Sequence, residues 1–225
     1  MRTQGVVMVP MILAMHVLPR RVLLDHVQGV ALADDVAHAV TMTIDRETGW
    51  PVLIGPRQVL DAQDACLWVP VDGPGSLQIS GVFEVIDASR HAAMLHWEML
   101  HGPLQGHAGR DGESHMSMAA MQCRVQWGRC GGRMYEAHEV AIPHPFARGE
   151  VAILRAANAH AELIDRLASA LARSVQKGAR AVAVDEWGLT IRCRAGALRA
   201  SFEEPRLNEE DARIATVSIL NAQDF

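Results

Sequence analysis

Aromatic side chains are scarce: one tyrosine, four phenylalanines and five tryptophans make up 4% of 225 residues. That scarcity argues against the stacking platforms on which single-stranded nucleic acids lie. An excess of basic charge is also missing, because the formal net charge is −5, and a dedicated nucleic-acid binder is excluded on that ground too. Cysteine is sparse and scattered, at Cys66, Cys123, Cys130 and Cys193. No pair has the C-x-x-C spacing of a zinc or redox site, so buried free thiols in a reducing, cytoplasmic compartment are expected, although Cys123 and Cys130 are close enough in sequence for a disulfide to be considered.

No apolar run is long enough to cross a membrane. Val6 to Leu18 is interrupted by Pro10 and His16, and Arg20, Arg21, Asp25 and His26 separate it from the A-x-A sequence at Ala31 to Ala33 that a cleavable leader needs close by. The segment is expected to be a strand or a packed lead-in. A P-loop, a G-x-G-x-x-G turn and a Ser-His-Asp set are all absent, which leaves NTPase, dinucleotide-enzyme and hydrolase readings without support.

What remains is a globular composition, 49% apolar and 21% charged. After Pro19, Val22, Leu23 and Val27 have helical spacing, with Gly29 as the expected stop. Val40, Met42 and Ile44 alternate with Thr41, Thr43 and Asp45, the period of a half-buried strand. The turn Glu47-Thr48-Gly49 then predicts a hairpin with Pro51 to Ile54. Two further strands are expected over Ala65 to Val71 and Leu77 to Ile86, around the turn Asp72 to Gly75. A helix is expected at about Ala88 to Leu100, a Gly-rich loop from Gly102 to Glu113, and a strand pair over Met116 to Trp127 and Arg133 to Ile142.

Pro143-His144-Pro145 marks a boundary, dividing the chain into residues 1–145 and 146–225. Beyond it, one long helix is predicted over Glu150 to Gln176, with Ile153, Leu154, Ala157, Ala161, Ile164, Leu167, Ala168 and Leu171 on one stripe. Three short strands follow at Ala181–Val184, Leu189–Arg194 and Leu198–Phe202. Asn208 then caps a last helix that has Glu209, Glu210 and Asp211 in its first turn, where the helix dipole favours acids.

Several polar clusters are candidates for chemistry. Of eleven histidines, five (His91, His96, His101, His107 and His115) crowd one stretch, and imidazole is the commonest metal or haem ligand. His91, His96 and His101 are five apart, so each steps about 140° round a helix from the last. They cannot share a helical face, and no metal site is assigned; packing or solvated roles are expected. Arg192 and Arg194 share a strand face and read as solvated, as do Glu162 and Asp165 on the long helix. Thr41, Thr43 and Asp45 form the polar side of a strand and read as a solvated outer face. No residue is assigned a catalytic role.

In order along the chain, these segments resemble a known family. RRVLLDHVQGVALA, HAVTMTIDRETGWPVLI and LQISGVFEVID are similar to the opening helix and strands of the pyridoxamine 5′-phosphate oxidase-like, FMN-binding split barrels. The C-terminal part, with Asp185, Gly188 and Leu189 starting a strand and Phe202, Pro205 and Ala212 after it, resembles the small α/β module of haem-utilisation and glutamyl-tRNA-reductase-binding proteins. The resemblance implies an α+β fold: a split β-barrel, then a long helix, a three-stranded antiparallel sheet and a C-terminal helix. It also implies a homodimer with FMN between protomers, or haem, and a possible oxidoreductase.

Two departures qualify that implication. The family's H-M-N-x-D-H stretch is here ANAHAELID, which keeps Asn158 and, one residue displaced, His160. The phosphate-binding stretch is shortened to GPRQVLDAQDA. A minimal flavin-phosphate set would be Thr41, Thr43, Arg57 and Gln58, since a phosphate dianion wants several donors or cations. The alternative is a cofactorless barrel that acts as a binding or regulatory module through protein partners.

Overall fold

The computed structural model describes residues 18–69, 75–104 and 117–222. The apolar N-terminal segment up to residue 17, most of the Asp72 to Gly75 turn, and His107 and His115 lie outside them. Helix α1 (Pro19–Asp25) leads into strands β1 (Gln28–Ala33), β2 (Val36–Ile44) and β3 (Pro51–Pro56). The short α2 (Gln58–Asp61), β4 (Ala65–Val69), β5 (Leu77–Val85), α3 (Ala92–His101), β6 (Met118–Cys130), β7 (Arg133–Glu136) and α4 (Ala137–Val140) complete the first part. The second part comprises α5 (Glu150–Asn158), α6 (Ala161–Ala172), β8 (Arg180–Asp185), β9 (Gly188–Cys193), β10 (Gly196–Ser201) and α7 (Glu209–Asn221).

The first sheet runs β3-β2-β1-β4-β5-β6-β7, and β3 also pairs with β6, closing six antiparallel strands into a barrel with β7 as an extra strand. Closure removes the exposed edges of an open sheet. The second sheet has the order β10-β9-β8 and is antiparallel. This α+β architecture, a closed barrel followed by a helix–sheet–helix unit, bears out the split-barrel resemblance.

Two cores account for the burial. Leu23, Met42, Leu53, Leu67, Leu77, Ile79 and Met121 fill the barrel, with Val22 and Leu23 of α1 entering from one side. Ile153, Ile164, Leu167, Leu189 and Ile191 form a second cluster between α5, α6 and the three-stranded sheet. A smaller cluster joins Ala93, Met94 and Trp97 of α3 to Val52 and Ile54 of β3, so α3 packs against the outside of the barrel wall.

Several boundaries differ from the sequence expectation. Gly29 does not stop α1, which ends at Asp25, but lies inside β1, where a Cβ would come within 2.8 Å of the Trp68 carbonyl oxygen. Helix α3 starts four residues late because Asp87 turns the chain, accepting from both Ser89 N–H (3.0 Å) and Ser89 O–H (2.6 Å), and His91 then caps Ala93 N–H. The segment Arg133 to Ile142 is strand only as far as Glu136; a capping box between Glu136 and Glu139 starts α4 there.

The long C-terminal helix is two helices, broken at Ala159 and His160. Asn158 is the cause: its Oδ1 accepts from Ala181 N–H at 3.0 Å and its Nδ2 donates to Ala181 C=O at 2.9 Å, which ties the end of α5 to β8. Ala161, on the expected apolar stripe, is exposed, and Leu171 is 37% exposed. Asn208 caps α7 as expected, accepting from Asp211 N–H at 2.9 Å.

Candidate functional site at the barrel–sheet junction

The two faces of β2 have different neighbours. Val40, Met42 and Ile44 belong to the barrel core, while Thr41 and Thr43 face outward beside Ile54 and Val52 of β3. That outer face lies under α3. Trp97, fully buried, donates its indole N–H to Thr41 Oγ1 at 3.2 Å, and Thr43 Oγ1 lies 2.5 Å from His96 Nδ1. His96 Nε2 is 3.0 Å from Arg46 Nη2. A guanidinium only donates, so Nε2 accepts, and the ring proton sits on Nδ1 and is given to Thr43. Burial, followed by the Arg46 charge, holds the His96 pKa well below its ordinary 6.5.

Arg46 leads from the barrel to the second sheet, because its Nη1 pairs with Glu150 Oε2 at the start of α5. Glu150 Oε1 in turn accepts from Val184 N–H at 3.0 Å. Burial pushes the Glu150 carboxyl up to about 6 even though Arg46 opposes it. His144 donates Nε2–H to Val184 C=O at 2.8 Å and accepts from Phe146 N–H on Nδ1 at 3.2 Å. Desolvation, then the Arg46 charge, lowers the His144 pKa to about 4. Together His144, Glu150 and Asn158 occupy the outer-edge backbone groups of Val184 and Ala181 on β8, closing that edge with side chains where another strand would otherwise pair.

Helix α1 is held by a second set of charges. Arg20, 4% exposed, pairs with Glu186 at 3.0 Å, and the Arg21 guanidinium lies 5.1 Å above the Trp187 ring. Arg199 of β10 grips Asp185 through two bonds of 2.7 and 2.5 Å, reaches Thr190 Oγ1 at 3.0 Å, and lies 3.3 Å from Asp25. Burial alone would raise the Asp185 pKa; the Arg199 charge and hydrogen bonds outweigh it and hold the carboxylate below its ordinary 3.8.

Between these groups lies a cavity of about 40 Å³, lined by Arg20, Thr43, Arg46, His96, His144 and Asp185 among others. Arg20, which lines it, has a buried Nη1 with no hydrogen-bond partner, and the same is true of Oε2 of its ion-pair partner Glu186. The space suits about one or two waters and falls far below the roughly 300–1,000 Å³ of small-molecule sites. Both nitrogens of His96 and of His144 are engaged, so neither imidazole presents a free base to a substrate. The arrangement docks the sheet unit onto the barrel.

The residues singled out from sequence separate accordingly. Thr41 and Thr43 lie together beneath α3. Arg57 and Gln58 lie outside that cover, exposed where β3 runs into α2, with Arg57 N–H donating to Ser117 C=O at 2.8 Å. His91 caps α3 and approaches Asp45 at 3.7 Å; His101 stacks on Trp97 with centroids 4.8 Å apart and has its Nε2 3.0 Å from Met42 C=O. Among the described residues no group of three or more His, Cys, Asp or Glu is placed to hold a metal, and no helix is long and apolar enough to cross a membrane. All four cysteines are free thiols, with Cys123 and Cys130 buried.

Arg192 is not simply solvated: its Nη1 donates to the Glu98 and Met99 carbonyls at 3.0 and 3.2 Å. Asp165 accepts from Ala179 N–H at 2.8 Å. Arg20, Arg46, Glu150, Glu186 and Arg199 carry no motif and escaped sequence reasoning. The available signals were an acid opening a helix at Glu150 and the Asp185-x-x-Gly188 turn.

No family model and no curated protein matches this chain. Among solved structures, a protein of unknown function from Agrobacterium tumefaciens str. C58 superimposes with a TM-score of 0.64 at 13% identity, covering 97% of this chain and 100% of its own. That similarity is one of fold. A haem-binding protein from Mycobacterium smegmatis aligns at a TM-score of 0.41 and 20% identity over 91% of this chain and 96% of its own. A pyridoxamine 5′-phosphate oxidase candidate from Listeria innocua aligns at 0.32 and 20% over 50% of this chain and 94% of its own.

Proposed function

We propose that this chain is a split-barrel binding or regulatory module that acts through protein partners, and not through a flavin or haem seated against β2. The observation that supports this most directly is that α3 covers the outer face of β2, with Thr41 committed to Trp97 and Thr43 to His96. A flavin phosphate needs several donors turned toward it. These two hydroxyls are turned into a helix, and the neighbouring cavity of about 40 Å³ holds water-sized groups. The cover over Thr41 and Thr43 therefore argues against an FMN phosphate at the threonine half of the expected set.

A second reading keeps a cofactor. Arg57 and Gln58 are exposed side by side at the exit of β3 and would clamp an FMN phosphate if a second copy of the chain supplied the rest of the cleft. Absorbance spectra of the purified protein, alone and after additions of FMN and then haemin, separate the two. The binding-module reading expects no saturable change in the flavin bands and no sharp Soret band. A one-to-one flavin or haem spectrum that is weakened by Arg57→Ala would overturn it in favour of the cofactor.

A further inference from the structure

On the face of the second sheet that looks away from its helices, Arg180 of β8 and Arg192 of β9 are direct cross-strand partners. Like charges placed opposite one another on adjacent strands destabilise a sheet unless something lies between them. Both line a groove of about 440 Å³ with Met99, Asn158, Val182 and Cys193, and among the described residues none that line it is acidic. Two cations meet in it although the chain as a whole carries a net charge of −5, and its volume falls within the small-molecule range.

The pair is partly preorganised. Arg192 is anchored, because Nη1 is fixed to the carbonyls of Glu98 and Met99 at the end of α3. Gly102 follows at φ +98°, and a Cβ there would sit 2.8 Å from Arg192 Nη2, so the glycine leaves room for the guanidinium. Arg180 is exposed and has no ion-pair partner among the described residues. One fixed fork and one adjustable fork, walled by Met99, Val182 and Cys193, suit a ligand with an oxyanion head and an apolar body.

We propose that this groove binds a phosphorylated small molecule, its phosphate held between Arg180 and Arg192. A phosphate offers three terminal oxygens and about two negative charges, enough for two guanidinium forks, whereas a carboxylate's two oxygens are satisfied by one. The site shares no residue with the face of β2 and stands whether or not a cofactor binds the barrel.

The test is a titration of the full chain with phenyl phosphate at low ionic strength, read from the phosphorus-31 line width, with benzoate as the carboxylate counterpart. Saturable broadening is expected, weakened about tenfold or more in Arg180→Gln and displaced by inorganic phosphate but not by benzoate. Arg180 is exposed, so that variant should retain its fold, which circular dichroism checks. Absence of saturable broadening, equal broadening in Arg180→Gln, or displacement by benzoate as readily as by phosphate would each overturn the assignment.

Discussion

Replacing Asn158 with alanine should weaken the fold by an amount that the geometry fixes. Asn158 is exposed, so the substitution opens no core cavity. It strips both backbone groups of Ala181, which is 2% exposed, of their partners at 3.0 and 2.9 Å. Each buried group left unsatisfied costs about 1–3 kcal/mol, so the loss of two partners should be about 2–6 kcal/mol. For a chain of this size each kcal/mol lowers Tm by about 2–4 °C, giving a drop of about 4–24 °C. Thermal and urea unfolding followed by circular dichroism read this directly.

Asn158→Asp refines the test. It keeps an acceptor for Ala181 N–H but turns a carboxylate oxygen toward Ala181 C=O, which raises the carboxyl pKa in the folded state. A raised folded pKa gives stability that is complete below the unfolded value near 3.9 and is lost as pH rises. Relative to the parent protein at the same pH, Asn158→Asp should be as weak as Asn158→Ala at pH 7 and recover toward pH 4. A loss under about 0.5 kcal/mol for Asn158→Ala, the range of ordinary surface substitutions, would refute the reasoning.

Other outcomes follow from the same junction. His144 is 8% exposed with its pKa lowered to about 4 from 6.5, so its stabilising contribution is present above 6.5 and lost as pH falls toward 4. Glu150, raised to about 6 from 4.5, acts in the opposite direction between those values, but His96 is lowered as well; two imidazoles outweigh one carboxyl. Stability in urea should therefore fall between pH 6.5 and 4.5, and His144→Gln should flatten the fall by up to about 3 kcal/mol; a parent protein equally stable at both pH values would contradict this. Thiol labelling of the native protein should modify Cys66 and Cys193 but spare Cys123, whose thiol burial pushes up to about 12; labelling of Cys123 without unfolding would show that the barrel is open. Thr43→Val should cost about 1–3 kcal/mol in urea unfolding, because the buried His96 Nδ1–H loses its acceptor; an unchanged midpoint would remove the Thr43–His96 bond from the structure.

The strand period over Val40 to Ile44 placed β2 and its core face correctly, and the Glu47-Thr48-Gly49 turn placed the hairpin, because both are set by residues adjacent in sequence. Asn208 was equally legible, since a cap acts within three residues. The break after Asn158 was not: helical periodicity continues through Ala161, and what ends α5 is a backbone pair at Ala181. The threonine face of β2 was seen as polar, but its burial depends on α3, where Ala93, Met94, Trp97 and Leu100 are buried while Leu95 is 71% exposed. Apolar residues on both sides of that helix hide which one faces the barrel. Least legible were the junction pairs, such as Arg20 with Glu186, 166 positions apart, for which no local pattern exists.

The cover that α3 places over β2 can be observed directly in long-range nitrogen-15 spectra of the histidine rings, together with the Trp97 indole N–H signal, recorded at neutral pH before and after saturating FMN. His96 should appear as the neutral Nδ1–H tautomer with Nε2 unprotonated, and both His96 and Trp97 should be unmoved by FMN. A His96 ring that titrates near its ordinary 6.5, or His96 and Trp97 signals that shift together as FMN is added, would mean that the face of β2 is open to a cofactor.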